Sequence, residues 1–192
     1  PRKMNTNHSK KIQRSNYRHL RNKELPRVEA LILNNVISKI ESLIRVDALK
    51  GYLGIYWPLS GEVDLRGLKA SLNIPIALPA CREEGVITYH SWNKSPLKKD
   101  SQGIPAPLNE PILSAEDISL LLIPAIAIDQ NGYRLGYGAG FFDRLRAKSN
   151  WRAISSFVVL PKACVSKSPL PKDKWDIPFD GWINEEGNFK SV

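Results

Sequence analysis

The sequence has 192 residues, of which 42% are hydrophobic and 8% aromatic, and these values are typical of one globular domain. Its longest apolar run, 120–128, is far shorter than the ~18–20 residues of a membrane-spanning helix, which excludes such a helix. The two cysteines, Cys81 and Cys164, form no CxxC pair and adjoin no histidine cluster, which argues against a zinc site or a disulfide framework and favours an intracellular setting.

The positive charge is concentrated at one end of the chain. The net charge is +9, and residues 1–27 carry nine Lys or Arg residues against one acid, Glu24. Such a block attracts phosphate groups, either on a small ligand or on a nucleic acid. Residues 1–9 are interpreted as a solvated or disordered basic tail, and residues 10–192 as a single domain.

Apolar residues recur at helical spacing from Val28 to Ile44 and predict an amphipathic helix whose first turn contains Pro26, after a looser helical pattern over 10–25. Further helices are predicted at 62–72 and 141–148, and a long loop at 94–111. Short β-rich runs predict strands at 52–57, 75–79, 86–92, 120–128 and 153–160. This alternation predicts a single three-layer α/β/α domain with a mostly parallel sheet.

A glycine-rich loop carries the main chemical signal. Gly136, Gly138 and Gly140 follow a predicted buried strand and precede a helix, so backbone N–H groups can approach an anion closely. Arg134 can clamp phosphate oxygens, and Asp143 can hold a magnesium ion, which together suit a triphosphate. The loop is neither a Walker A nor a GxGxxG motif. The alternatives are that the glycines serve a tight turn or helix packing, and that Asp143 forms a surface pair with Arg144.

The run RLGYGAGFFDR at 134–144, with the preceding IP at 123–124 and Asp129, resembles the signature of the 5-formyltetrahydrofolate cyclo-ligase family. Four further segments fall in that family's order: the basic KKIQR at 10–14, YWPLSGEVD at 56–64, GIPAP at 103–107 and DIPFD at 176–180. The resemblance therefore extends from about residue 10 to residue 182 and rests on five ordered motifs.

The resemblance implies a cytoplasmic and monomeric enzyme of one-carbon metabolism, with small-molecule substrates and without a nucleic-acid or membrane partner. ATP would phosphorylate the formyl oxygen of 5-formyltetrahydrofolate in the presence of Mg²⁺. Attack by N10 would then close the ring and release phosphate, giving 5,10-methenyltetrahydrofolate and ADP. Such phosphoryl transfer needs positioning and charge neutralisation more than a nucleophilic side chain. His8, His19 and His90 accordingly form no recognisable catalytic set.

By the same resemblance, Arg134 and Asp143 are the expected catalytic residues, and Asp143 and Asp176 the expected metal ligands. The expected ATP-binding residues are Lys10, Lys11, Ile12, Gln13, Arg14, Arg134, Leu135, Gly136, Tyr137, Gly138, Ala139, Gly140, Phe141 and Phe142. The expected folate-binding residues are Arg14, Trp57, Glu62, Tyr137, Gly138, Ala139, Gly140 and Phe141.

Each of these roles has a purely structural alternative. Lys10 and Arg14, one helical turn apart, also suit a solvated basic face. Trp57 suits the core, Asp176 suits a turn beside a proline, and Glu62 suits a helix N-terminus where it satisfies backbone amides.

Two other functions stay open. The first is an RNA-binding protein that uses its basic N-terminal arm, although no RNP-like motif or zinc-finger spacing occurs. The second is a folate-binding relative without turnover. It is suggested by Phe141 and Phe142, where many family members carry two tyrosines. Ala106 stands where many members carry a glutamate, which removes one polar contact expected with the substrate.

Overall fold

The computed structural model describes residues 2–192, with side chains from Thr6 onward. Its four helices are α1 Arg2–Arg45, α2 Leu68–Ser71, α3 Phe141–Ala147 and α4 Ser149–Arg152. Short 3₁₀ turns lie at Glu83–Gly85, Ala115–Asp117 and Lys162–Cys164. The strands are β1 Tyr52–Gly54, β2 Ile76–Cys81, β3 Ile87–Ser91, β4 Lys98–Lys99, β5 Pro105–Ala106, β6 Ile118–Pro124, β7 Ala127–Asp129, β8 Arg134–Leu135, β9 Ser155–Val159, β10 Val165–Ser166, β11 Gly181–Asn184 and β12 Gly187–Lys190.

A seven-stranded sheet with the order β12-β11-β9-β6-β1-β2-β3 forms the centre of the molecule. The five inner strands are mutually parallel, and an antiparallel strand closes each edge. Two smaller sheets, β10-β7-β8 and β4-β5, lie beside it. The predicted α/β class with a mostly parallel sheet is confirmed.

Helices cover both faces of the sheet. Along β6, Leu120 and Leu122 belong to the core that α1 covers, whereas Leu121 and Ile123 belong to the core that α3 and α4 cover. Successive strand residues point to opposite faces, so a strand buried on both sides is apolar throughout. The long apolar run in the sequence therefore follows from the three-layer arrangement.

Helix α1 is continuous through Pro26, so the prediction of a new helix beginning there is wrong. Proline has a helical φ and removes one backbone hydrogen bond. Pro26 is exposed, which leaves the freed carbonyl accessible to water. Buried residues of α1 on either side of it, Leu25 and Ile32 among them, dock the helix as one unit. Among the residues that the structure describes, no helix is long and apolar enough to cross a membrane.

Two other elements differ from the predictions. The helix expected at 62–72 is only Leu68–Ser71, because the Asp64 carboxylate accepts the backbone N–H of Arg66 and forms a local turn. The run 120–128 forms two strands in different sheets, because β6 ends at Pro124 and the chain turns into β7. The loop at 94–111 is irregular apart from the two-residue strands β4 and β5.

Candidate active site

Two cavities adjoin each other, and one of them opens at the carboxyl ends of β1, β2 and β6, where open parallel sheets commonly bind ligands. The polar cavity has a volume of about 320 Å³, and the apolar cavity a volume of about 270 Å³. Arg134, Ala139 and Gly140 line both, so the two cavities meet at the glycine loop. The polar cavity is lined by Asn7, Lys10, Arg14, Arg134, Leu135, Gly136, Gly138, Ala139, Gly140, Asp143, Arg144, Asp173, Trp175 and Asp176.

Helix α1 brings two basic side chains to the polar cavity. Lys10 Nζ donates to Asp173 Oδ2 at 2.8 Å and to Asp176 Oδ2 at 2.9 Å. Burial alone would lower the pKa of Lys10, but the hydrogen bonds to both aspartates outweigh it, so the pKa is raised. Arg14 Nε donates to the carbonyl of Gly136 at 2.7 Å. Lys10 and Arg14 therefore face the site, as their spacing predicts, and do not belong to a solvated face.

The glycine loop needs its glycines for two different reasons. A Cβ at Gly136 would lie 2.6 Å from Arg134 Nη2, so the guanidinium group would have to leave its present position. Gly138 and Gly140 have φ of 100° and 73°, in the left-handed region that other residues avoid. Gly140 then precedes α3 directly. The loop consequently lies close against Arg134 and exposes its backbone to the polar cavity.

Arg134 is held between backbone and aromatic rings. Its Nη1 donates to the carbonyl of Pro124 at 2.8 Å, and its Cζ lies 5.1 Å from the ring centroid of Phe142 and 5.8 Å from that of Phe179. No carboxylate of the described residues lies within salt-bridge distance of it. The cation is thus fixed in place with its charge available at the junction of the cavities.

Asp143 and Asp176 are the cavity's candidate metal ligands. Burial raises the pKa of Asp143, the charge of Arg134 lowers it, and the charge of Asp176 raises it again, with a net increase. Asp176 also forms a turn with Asp173, whose backbone N–H donates to Asp176 Oδ2 at 2.8 Å. Arg144 donates to the carbonyls of Ala139 and Gly85 and does not pair with Asp143.

The polar cavity fits magnesium carried on phosphates. Within the described part of the chain, no group of three or more His, Cys, Asp or Glu residues could hold a metal ion. Asp143 and Asp176 line the cavity beside cations that would attract phosphate groups. Mg²⁺ binds one or two protein carboxylates together with phosphate oxygens and waters. Asp143 and Asp176 supply that set.

Glu62 is a buried carboxylate at the apolar cavity and is only 7% exposed. Its Oε1 accepts the backbone N–H of Leu59 at 2.8 Å, and the Tyr137 hydroxyl donates to its Oε2 at 3.2 Å. Burial raises the pKa of Glu62, although Leu59 N–H, Arg21, Tyr137 and Arg134 each lower it in part. Glu62 does not cap a helix, and its remaining lone pairs can accept further hydrogen bonds.

Aromatic rings form the walls of the apolar cavity. Trp57 meets the Trp92 ring edge-on, with 6.2 Å between centroids, and is half-buried at the cavity instead of buried in the core. The cavity is lined by Tyr56, Trp57, Leu59, Glu62, Pro79, Cys81, Ile87, Asp100, Gln102, Ile104, Pro124, Arg134, Tyr137, Ala139, Gly140, Phe141 and Phe142. A flat, weakly polar ring system with donors at one edge would suit this lining.

Several predicted residues lie elsewhere. Lys11 and Ile12 are exposed, and Gln13 lines neither cavity. Arg14 and Gly138 line only the polar cavity, so they contact the apolar cavity at most through their neighbours. The helical spacing explains this result, because residues next to Lys10 in sequence point to other sides of α1.

Sequence reasoning missed Asn7, Arg144, Asp173 and Trp175 in the polar cavity, and Cys81, Asp100, Gln102 and Ile104 in the apolar one. Asn7 lies one helical turn before Lys10, so extending the helical spacing would have found it. Gln102 and Ile104 flank the glycine of the GIPAP segment. Asp173 gives no comparable signal, since only the fold brings it to Lys10.

Known proteins resemble this chain over most of its length. The sequence model of the 5-formyltetrahydrofolate cyclo-ligase family matches residues 7–185. A 5-formyltetrahydrofolate cyclo-ligase of Haemophilus influenzae is 30% identical over 136 residues, which cover 66% of this chain and 72% of that protein. The protein of the same name from Escherichia coli K12 is 35% identical over 79 residues, which cover 38% of this chain and 42% of its own.

Solved structures agree with this relationship. The 5,10-methenyltetrahydrofolate synthetase of Aquifex aeolicus superposes with a TM-score of 0.78 at 29% identity, covering 94% of this chain and 92% of its own. A 5,10-methenyltetrahydrofolate synthetase from Mycoplasma pneumoniae shares the fold, with a TM-score of 0.68 at 19% identity over 92% of this chain and 99% of its own. The chain belongs to the 5-formyltetrahydrofolate cyclo-ligase family of enzymes.

Proposed function

We propose that this chain converts 5-formyltetrahydrofolate to 5,10-methenyltetrahydrofolate, using ATP with Mg²⁺ and releasing ADP and phosphate. The observation that carries the proposal is the position of Arg134, which lines a basic polar cavity and an aromatic apolar cavity at their junction. A phosphoryl group passing from one ligand to another would cross that junction. Membership of the cyclo-ligase family is the reason for taking these two ligands to be ATP and 5-formyltetrahydrofolate.

The polar cavity suits the triphosphate. Four cations line it, namely Lys10, Arg14, Arg134 and Arg144, and the glycine loop adds backbone donors. Asp143 and Asp176 would hold Mg²⁺, which when bound neutralises charge on the phosphate oxygens. Lys10 would contact the phosphates while it keeps its ion pair with Asp176, one of the two proposed metal ligands.

The apolar cavity suits the reduced pterin. Glu62 presents an acceptor to ring N–H and amino groups, while Trp57, Phe141 and Phe142 contact the ring faces and edges. Phe142 keeps its contact with Arg134 without a hydroxyl group. This contact favours an active enzyme over a relative without turnover.

The residues act by orientation and electrostatics. The formyl oxygen attacks the γ-phosphorus, and the bond to the leaving ADP oxygen breaks. N10 then attacks the activated formyl carbon and loses its proton to the departing phosphate or to water, and the carbon–oxygen bond breaks as phosphate departs with the original formyl oxygen. Arg134, fixed before the reaction, would stabilise charge on the transferring phosphoryl group. The aromatic walls exclude water that would otherwise hydrolyse the activated formyl group.

The test is near-ultraviolet absorbance of the methenyl product in purified protein supplied with 5-formyltetrahydrofolate, ATP and Mg²⁺. We expect product formation that stops when ATP is omitted or Mg²⁺ is chelated. Protein shown to be folded by circular dichroism that forms no product would overturn the proposal. Folate binding without ATP consumption, followed by tryptophan fluorescence, would identify a relative without turnover instead.

A further inference from the structure

Arg21 is a buried cation, 2% exposed, that contacts three separate segments of the chain next to the active site. From helix α1, its Nη1 donates to the carbonyl of Ala125 at 2.9 Å, just beyond strand β6. Its Nη2 donates to the carbonyl of Ser60 at 3.3 Å, in the turn before Glu62, and to the Tyr137 hydroxyl at 2.7 Å. One guanidinium group therefore joins the helix, the turn and the glycine loop.

The contact with Tyr137 continues to Glu62. The Tyr137 hydroxyl accepts from Arg21 and donates to Glu62 Oε2 at 3.2 Å. Because Tyr137 Oη accepts from Arg21, its own proton points to Glu62. Glu62 Oε2 must therefore act as the hydrogen-bond acceptor. The Tyr137 hydroxyl is the hydrogen-bonded link between Arg21 and Glu62, and no carboxylate of the described residues forms a salt bridge with Arg21.

Fold stability alone explains Arg21 poorly. Its Nε is buried without a hydrogen-bond partner, and a buried cation without a direct counter-ion carries a desolvation cost that an apolar side chain would avoid. The turn after strand β1 packs closely on α1 at this point, since a Cβ at Gly61 would clash with Asn22 Oδ1 and lie 3.2 Å from both Arg21 Nε and Nη2. An apolar side chain in place of Arg21 would therefore be expected to stabilise the fold more than the buried guanidinium group does.

We propose that Arg21 is a positioning residue for folate binding, acting through Tyr137 to hold Glu62 ionised and oriented toward the pterin. This inference rests on the proposed function. It assigns Arg21 no contact with either substrate, since Arg21 lines neither cavity. Its effect reaches Glu62 through the hydroxyl of Tyr137 and through its own positive charge.

The groups that face Glu62 define the expected pH dependence. They are Arg21 from α1, Arg134 from β8, Tyr137 from the glycine loop and Tyr56 beyond β1. Both arginines and the Tyr137 hydrogen bond lower the pKa of Glu62, against the larger effect of burial. Removing the charge of Arg21 would therefore raise that pKa further. A protonated Glu62 would present a donor to the donor edge of the pterin. As the pH falls, the variant would therefore lose folate binding at a higher pH than wild type does.

The experiment compares wild type with Arg21→Gln, Arg21→Lys and Tyr137→Phe, and uses Arg27→Gln as a matched loss of charge on the same helix. Arg27 is exposed and its nearest carboxylate is that of Glu24, at 3.8 Å. Folate KM, kcat and the pH profile of kcat/KM are measured at saturating ATP, with thermal unfolding as the folding control. Tyr137→Phe removes the relay and keeps the positive charge of Arg21, which keeps the test valid if Arg21→Gln folds poorly.

We expect folate KM to rise roughly 10- to 100-fold in Arg21→Gln and Tyr137→Phe, with kcat changed far less, as for a lost hydrogen bond to a charged group. The acidic limb of the profile should move to higher pH in both. Arg21→Lys should keep the acidic limb near its wild-type pH, because lysine retains the positive charge. Folate KM should still rise, because lysine lacks the planar guanidinium group that donates to several acceptors at once.

A folded, active Tyr137→Phe with unchanged KM and an unchanged acidic limb would overturn this inference and leave the proposed function standing. Equal effects of Arg27→Gln would also overturn it, because they would show a general charge effect. An inactive wild type would instead overturn the proposed function, and the inference with it.

Discussion

The ammonium group of Lys10 lies 2.9 Å from Asp176 Oδ2, which joins the first helix to the C-terminal segment across the polar cavity. These two residues are 166 positions apart in the chain, and each lines the cavity proposed to bind the triphosphate. The same side chain also contacts Asp173. The position of Lys10 is therefore fixed before any phosphate arrives, which reduces the entropy cost of binding.

Lys10→Gln should raise the KM for ATP by roughly 10- to 100-fold, because a charged donor to phosphate is lost. The matched control is Lys11→Gln, which removes the same charge from an exposed neighbour outside both cavities. Steady-state kinetics at varied ATP measures both variants. Equal effects would show that the helix contributes only a diffuse positive field.

Asp143→Asn should increase the Mg²⁺ concentration needed for half-maximal rate by at least about tenfold, as typical for weakened metal coordination. The amide keeps the size of the side chain but removes its charge. Asp173→Asn is the comparison, since Asp173 lines the same cavity and contacts Lys10 but is not a proposed ligand. A Mg²⁺ titration with unchanged midpoint in Asp143→Asn would remove Asp143 from the metal site.

Arg134→Lys should lower kcat about 100- to 1,000-fold, the usual cost of losing a preorganised donor to developing charge. Lysine retains a positive charge, but it can neither stack on the Phe142 ring in the same way nor form a bidentate fork. Binding of ATP and of folate, each measured alone, should change far less than kcat. Wild-type turnover in this variant would exclude Arg134 from transition-state stabilisation.

Glu62→Gln should separate binding from stability. Burial raises the pKa of Glu62 above its ordinary value of 4.5, so its ionisation destabilises the fold as pH rises from 4.5 through the higher folded-state pKa. The neutral variant avoids this cost. Its melting temperature should exceed that of wild type at pH 7, and the difference should shrink toward zero below pH 4.5.

The same variant should bind folate about 10- to 100-fold more weakly, because an amide places donors against the donor edge of the pterin. Differential scanning calorimetry across this pH range and a folate-binding titration give the two readouts. A lower melting temperature at pH 7 would show that the ionised carboxylate stabilises the fold, which is the opposite of the predicted effect.

The glycine loop and the central strands could be predicted because their signals are local. Spacing in the chain shows that Gly136, Gly138 and Gly140 lie between a strand and a helix, and the apolar run of β6 indicates a sheet covered on both faces. Helix α1 shows the limit of local signals. Pro26 suggests a boundary, but burial of its flanking residues keeps one helix of 44 residues.

Long-range contacts account for what the sequence could not show. Asp173 and Arg21 acquire their roles only when the C-terminal segment and the turn after β1 meet α1. Lys11 and Ile12 show the opposite error, because a motif match includes the exposed neighbours of the residues that line the cavity. The resemblance located the site, and the helix geometry selected the side chains within it.

The most direct test of the account follows the formyl oxygen. The enzyme is given 5-formyltetrahydrofolate labelled with ¹⁸O in the formyl group, together with ATP and Mg²⁺, and the released phosphate is analysed by mass spectrometry. Transfer of the phosphoryl group to the formyl oxygen predicts one ¹⁸O atom in each phosphate for each methenyl product formed. Unlabelled phosphate, with the ¹⁸O released to water, would contradict phosphorylation of the formyl oxygen at the junction of the two cavities.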